Sequence, residues 1–400
     1  MPRNFLRSTF LKTSFAIFVS LFLVACGSAS KPVAAQSEPK AEPAKPALPR
    51  SREADDMGRF FAGMPGKPGS PFADLEASSV WQEHQRQLDT AWAKTKEQLL
   101  DNLRTFEQQE LRPAELDKRV VYYPFSGPDS LTPLQYFPRS PLYVMVALEP
   151  PGTLPDRSMV EHKELPGYLA AIRTTMSDIL GRSFFVTREM DKQLRGQVTD
   201  GTILPILHLL VRTGHDILGY RYIRIDDNGQ IVDRTAKYQV DQRYANRGIE
   251  VEFQSATDAP SQRLYYFSVN FDDAHLKTNP SFHAYLKSLH GTTTMLKATS
   301  YMLHHDEFSL IRAQILDAST AILQDDSGVP FHFYAPDQWK VQLYGDYQKP
   351  YGSFAWLEQK DLREAYKTGA KQLPLHIGYG YRRITSNLQL ATRVQVSSAK

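Results

Sequence analysis

YYPFSGPDSLTPLQYFPRSPLYVMVALEP, residues 122–150, is the stretch on which the reading of this chain turns. Tyr122 to Phe125 is a short apolar run that stops at the turn Ser126-Gly127. A second apolar run closes on Glu149. Between them stand Pro133, Pro138 and Pro141, so any helix there is short, because proline removes a backbone donor and clashes inside a helix. The pattern is strand, brief helix, strand.

A nucleotide-binding unit of that kind places a Gly-rich turn after its first strand. It also places an acid at the end of the second, about 20 residues on, for ribose hydroxyls. Glu149 lies 22 residues beyond Gly127. In this outline the segment is similar to the first half of a class I methyltransferase, or to a generic Rossmann unit. Further along, KATSYML (297–303), the run His304-His305-Asp306-Glu307, a helix and AILQDD (321–326) resemble that fold's fourth and fifth strands with the helix between them. Two features depart from it. There is a single glycine in the turn, and Pro128 stands where a backbone N–H would face a phosphate. The expectation is α/β, a Rossmann-like mixed sheet without a nucleotide cradle and with no cofactor.

Around that core, Trp81, Leu88, Trp92, Leu99, Leu103 and Phe106 form one apolar stripe, which predicts a long N-terminal helix over 79–111 packed on the domain. Helices are also expected at 166–181, 203–217, 280–289 and near 356–366, with one from Phe308 through Ile322 capped by Asp306. Asp226-Asp227-Asn228-Gly229 is a hairpin turn, since Asn-Gly supplies positive φ. With GIEVEFQSA and RLYYFSVNF it predicts an antiparallel insertion over 220–272. Further strands are expected at 183–187, FHFYA, WKVQLYG and PLHIGYGY.

In an open parallel sheet, ligands gather at the carboxyl ends of strands. The polar residues there are Ser126, Asp129, Glu149, His304, His305, Asp325 and Asp326. They are candidates for one ligand cleft, although polar residues also follow strands for ordinary turn chemistry. No metal is expected. HExxH is absent; the pairs His208/His215 and His283/His290 are seven apart, and adjacent His304 and His305 diverge on any regular element. GxSxG is also absent. Asp272-Asp273 reads equally as turn caps or as an acid pair.

The N-terminus carries the address. Arg3, Arg7 and Lys12 precede the apolar run FAIFVSLFLVA, 15–25, the layout of a secretory signal. Leu23-Val24-Ala25-Cys26 resembles the lipobox of bacterial lipoproteins, which implies cleavage between Ala25 and Cys26 and acylation of Cys26, the one cysteine of 400 residues. Gly27, in place of Asp, implies the outer membrane if the host is Gram-negative. The Pro/Ala/Ser-rich segment that follows Cys26 is too polar to fold. It reads as a tether over 26–52, reaching between roughly 25 Å as a coil and roughly 75 Å extended, with one α/β domain over 53–400.

The formal charge of +3 equals the three bases of residues 1–25. The processed chain is therefore neutral, which excludes nucleic acid as a partner. Two functions remain. One is a membrane-anchored domain that binds an envelope protein, a glycan or a small ligand, or maintains the envelope. The other is an envelope hydrolase or transferase working at the strand ends.

Overall fold

A computed structural model of the chain describes residues 48–155, 157–162, 165–182, 201–234, 247–255, 259–379 and 386–394, all within one compact unit, Pro43–Lys400. The labelled helices are α1 (Glu53–Phe61), α2 (Ser79–Thr95), α3 (Leu131–Tyr136), α4 (Leu165–Arg182), α5 (Ile203–Arg212), α6 (Asp273–Thr278), α7 (Pro280–Ser288), α8 (Ser309–Ala318) and α9 (Lys360–Gly369). The strands are β1 (Val121–Pro124), β2 (Leu142–Ala147), β3 (His215–Ile225), β4 (Ile231–Asp233), β5 (Arg247–Ser255), β6 (Gln262–Ser268), β7 (Thr292–Leu296), β8 (Ser319–Gln324), β9 (Trp339–Gly345) and β10 (Asn387–Arg393).

The ten strands among the described residues form one sheet, in the order β4-β3-β5-β6-β2-β1-β7-β8-β10-β9. The centre, from β6 to β8, is parallel; both flanks are antiparallel. Along the parallel part the chain runs β1, β2, β6 to one side and then returns for β7 and β8 on the other. That is the Rossmann-like doubly wound order, with its switch point between β1 and β7.

Parallel strands covered on both faces carry unbroken apolar runs. VYYP and LYVMVA are buried at every position. Val121, Tyr123, Tyr143 and Met145 face α1, α2, α4 and α5. Tyr122, Val144 and Val146 face α6, α7 and α8 on the other side. The sheet is thus the middle of three layers, and its strand ends are held from both faces.

The long helix covers the expected span, with two π turns, Lys96–Leu100 and Glu107–Leu111, inside it. The 226–229 hairpin is also present: Asp226 Oδ1 accepts from Asn228 N–H and Gln230 N–H, and Gly229 has φ 76°. Several expectations change. The helix expected over 203–217 ends at Arg212, because Gly214 takes φ 85° and the chain turns into β3. The antiparallel insertion does not own all of 220–272. Its last strand, β6, is buried on both faces and pairs in parallel with β2, so it is the third strand of the core.

Likewise the fourth strand is TTTML, not KATSYML; the three threonines are fully buried. The helix that follows, α8, stops at Ala318 and Ile322 lies in β8. Its cap is not Asp306 but Asp273, whose carboxylate accepts from Leu310 N–H (3.0 Å) and the Ser309 hydroxyl (2.6 Å). Asp272 caps α6 through His275 N–H, so the paired acids are caps. FHFYA begins with a 3-10 turn, Phe331–Phe333. Residues 374–379 form no strand, while β10 (387–393) was not anticipated. The strand expected over 183–187 lies outside the described residues, as do Ala25 and Cys26.

The fold starts before residue 53. Leu48 is buried, its N–H bonded to Glu252 Oε2 at 2.8 Å, and Ser51 N–H donates to Leu218 O. Gly219 admits this segment: a Cβ there would meet Pro49 O at 2.7 Å. Among the described residues, no helix is long and apolar enough to cross a membrane.

Candidate functional site

The carboxyl ends of β1, β2, β6 and β7 enclose a cleft of about 130 Å³ at the switch point. Its walls are Phe125 to Gly127, Leu148 with Glu149, Val269 to Phe271, and Lys297 with Thr299 and Ser300. One water occupies roughly 10–15 Å³ on this measure, so there is room for a sugar-sized ring.

The loops around it are strained. Among the described residues, five non-glycine positions have positive φ: Glu115, Phe125, Ala298, Ser300 and Tyr301. All but Glu115 belong to the turns after β1 and β7. Each such position costs on the order of 1–3 kcal/mol and persists only where surrounding contacts enforce it. Here the contacts are explicit. Ala298 N–H donates to Asp325 Oδ2 (2.9 Å) and Thr299 N–H to Ser327 Oγ (2.8 Å). The Tyr379 hydroxyl accepts from Ser300 N–H (2.7 Å) and donates to Ala298 O (3.0 Å). Tyr301 is fully buried and donates to Asp326 Oδ2 at 2.6 Å.

These bonds give Asp325 and Asp326 their task. Both are buried, and they brace the β7 loop from behind without facing the cleft. Burial pushes both carboxyls up, and for Asp326 the neighbouring Asp325 adds to it. Asn387 Nδ2 donates to the other oxygen of Asp326 at 2.8 Å. Gly378 lies so close that a Cβ would stand 2.0 Å from Asp325 Oδ2.

Of the remaining candidates, Ser126 and Glu149 line the cleft. The Ser126 hydroxyl donates to Gly127 O at 2.8 Å, and its N–H is taken by Val146 O. Glu149 differs. Its backbone carbonyl accepts from the Tyr266 hydroxyl, but among the described residues nothing pairs with its carboxylate. It is half-buried, beside Leu148, which is 55% exposed.

Asp129 lies beneath the cleft. It accepts from Tyr123 OH (3.2 Å), Thr132 N–H (3.1 Å) and Thr132 Oγ1 (2.7 Å), and forms a buried ion pair with Lys297. His304 and His305 do diverge. His304 packs edge-on against Tyr301 at 5.1 Å, and burial pushes its imidazole down to about 4. His305 packs against exposed Trp356 at 5.5 Å. Neither lines the cleft. Among the described residues, no group of His, Cys, Asp and Glu is arranged to hold a metal.

Sequence reasoning missed Lys297, Ser300 and Tyr379. A lysine opening the run KATSYML was the available signal, since lysine is almost never buried unpaired.

The turn after β1 is no phosphate nest. Ser126 N–H is spent on Val146 O, Pro128 has no donor, and Asp129 N–H and Ser130 N–H are turned back onto Ser126 O and Pro128 O. A diphosphate finds no run of free donors there.

Compared with family models, curated proteins and solved structures, the chain matches none.

Proposed function

We propose that this chain is a cell-envelope lipoprotein whose tethered α/β domain binds a small hydroxyl-bearing ligand, such as a sugar ring, in the switch-point cleft. The observation that carries the binding reading is Glu149. An ionised carboxylate only accepts hydrogen bonds, and one left without donors beside apolar walls suits a pair of neighbouring hydroxyls. The end of the second strand is also where a doubly wound sheet places its diol acceptor.

Binding is favoured over turnover by how the other polar groups are committed. Asp129 and Lys297 hold each other, and the Ser126 hydroxyl is bonded to carbonyls. A nucleophile needs an adjacent base, and among the described residues no carboxylate or imidazole is bonded to that hydroxyl.

Native mass spectrometry of the full chain, extracted gently from envelopes, is expected to show an excess mass from bound ligand. Glu149→Gln should weaken that ligand at least tenfold without moving the unfolding midpoint, because the carboxylate supports no structural contact. Equal binding by the variant would sink the reading.

The address rests on the signal, the lipobox and the tether. Cys26→Ser is expected to shift the chain from the membrane pellet to the soluble fraction and to abolish labelling by palmitate. A variant still labelled and pelleted would refute the anchor.

A second reading, an envelope transferase of methyltransferase-like outline, is favoured by the strained residues Phe125, Ala298, Ser300 and Tyr301 around one cleft, since such strain collects at active sites. Conversion of the co-purified ligand by the wild-type chain would select it.

A further inference from the structure

We infer that the cleft also recognises an anionic group on its ligand, and that Lys297 is the cation that meets it. This inference rests on the reading of Glu149 as the acceptor of ligand hydroxyls.

Lys297 lines the cleft although its side chain is only 6% exposed. An ammonium has three donors. One goes to Asp129 Oδ2 and one to Thr132 Oγ1 at 2.7 Å. Among the described residues nothing takes the third.

The lysine neutralises the charge of Asp129 but is not needed to fill its hydrogen bonds. That carboxylate already receives three neutral donors, from Tyr123 OH, Thr132 N–H and Thr132 Oγ1. Burying an ion pair strips both ions of water before their attraction returns the cost, and an apolar pair of the same volume is often as stable. A buried ammonium with a spare donor beside an open cleft is better accounted for by what enters the cleft. Asp129 and Thr132 then act as positioning residues that fix the ammonium.

The same geometry limits the anion. With the β1 turn offering no nest, a diphosphate would lack its backbone donors, whereas one carboxylate or one phosphate monoester needs a single cation. The ligand class is therefore a sugar or nucleoside carrying one anionic group.

The test compares neutral and anionic probes on the full chain by calorimetry: adenosine with adenosine 5′-monophosphate, and methyl glucoside with methyl glucuronide. In at least one pair the anionic member should bind at least tenfold more tightly. In the double variant Asp129→Asn/Lys297→Met that preference should fall below twofold. The pair that shows the preference identifies phosphate or carboxylate as the group. Should the double variant unfold early, Lys297→Gln, which keeps a donor for Asp129, takes its place. Equal affinity of both members for the wild type overturns the inference and leaves the reading of Glu149 standing. Binding of no probe overturns both.

Discussion

Replacing Lys297 by Met alone is expected to destabilise the domain by about 3–5 kcal/mol, the usual cost of leaving a buried charge without its partner. Asp129 is 3% exposed, so water cannot replace the ammonium, and its three remaining donors are neutral. Asp129→Ala should cost a similar amount, because it strands the ammonium and also removes the acceptor for Thr132 N–H at the start of α3. The double variant Asp129→Asn/Lys297→Met is expected within about 2 kcal/mol of the wild type, since neutral groups of near-equal shape replace the whole pair. The asparagine keeps an oxygen for Thr132 N–H, and the hydroxyls of Tyr123 and Thr132 rotate to accept from its amide. Chemical denaturation of the four proteins decides the matter. Single variants no less stable than the double would show that the pair is not coupled as its geometry implies.

That pair also marks the limit of what the sequence made legible. Local patterns were readable: the strand, turn and strand of residues 121–149, the stripe of the 79–111 helix and the Asn-Gly hairpin all declare themselves within one window. The fourth strand did not. Its residues Thr292, Thr293 and Thr294 look polar but pack at 0% exposure, so the apolar run beside them drew the assignment. β10 escaped for the same reason: Asn387 and Gln389 are buried, and its position between β8 and β9 depends on pairing across 40 or more residues. The candidate site was legible as strand ends but not as a cleft. Which side chains enter it depends on the strained β7 loop, which aims Lys297 and Ser300 inward and turns Tyr301 back toward Asp326. No propensity encodes that aim.

Stability should fall between pH 6.5 and 4, and His84 should account for about 3 kcal/mol of the loss. His84 is fully buried on α2. Its Nε2 stands 3.0 Å from Phe61 O and its Nδ1 stands 3.2 Å from Arg173 Nη1. A carbonyl only accepts and a guanidinium only donates, so these partners require Nε2–H and a bare Nδ1. A proton on Nδ1 would point at a fixed positive charge. Burial is the largest cause of the depressed value, about 4, and Arg173 and Arg212 add to it. Neutral His208, depressed by its own burial, sits in the same cluster. The unfolded chain binds a proton near pH 6.5 that the folded chain refuses until about pH 4. Folding is therefore favoured in full above pH 6.5, and the advantage drains away as pH falls through that window. Asp325 and Asp326 work in the opposite direction, because their raised values make acid relieve a buried charge. Comparing His84→Gln with the wild type cancels that contribution. Glutamine offers a donor for Phe61 O and an acceptor for Arg173 but does not titrate. Urea unfolding at pH 7 and pH 4 should show the variant losing about 3 kcal/mol less than the wild type. Identical losses would mean that His84 takes up its proton in the folded domain at an ordinary pH, and that the helix layer over β1 and β2 yields locally to admit it.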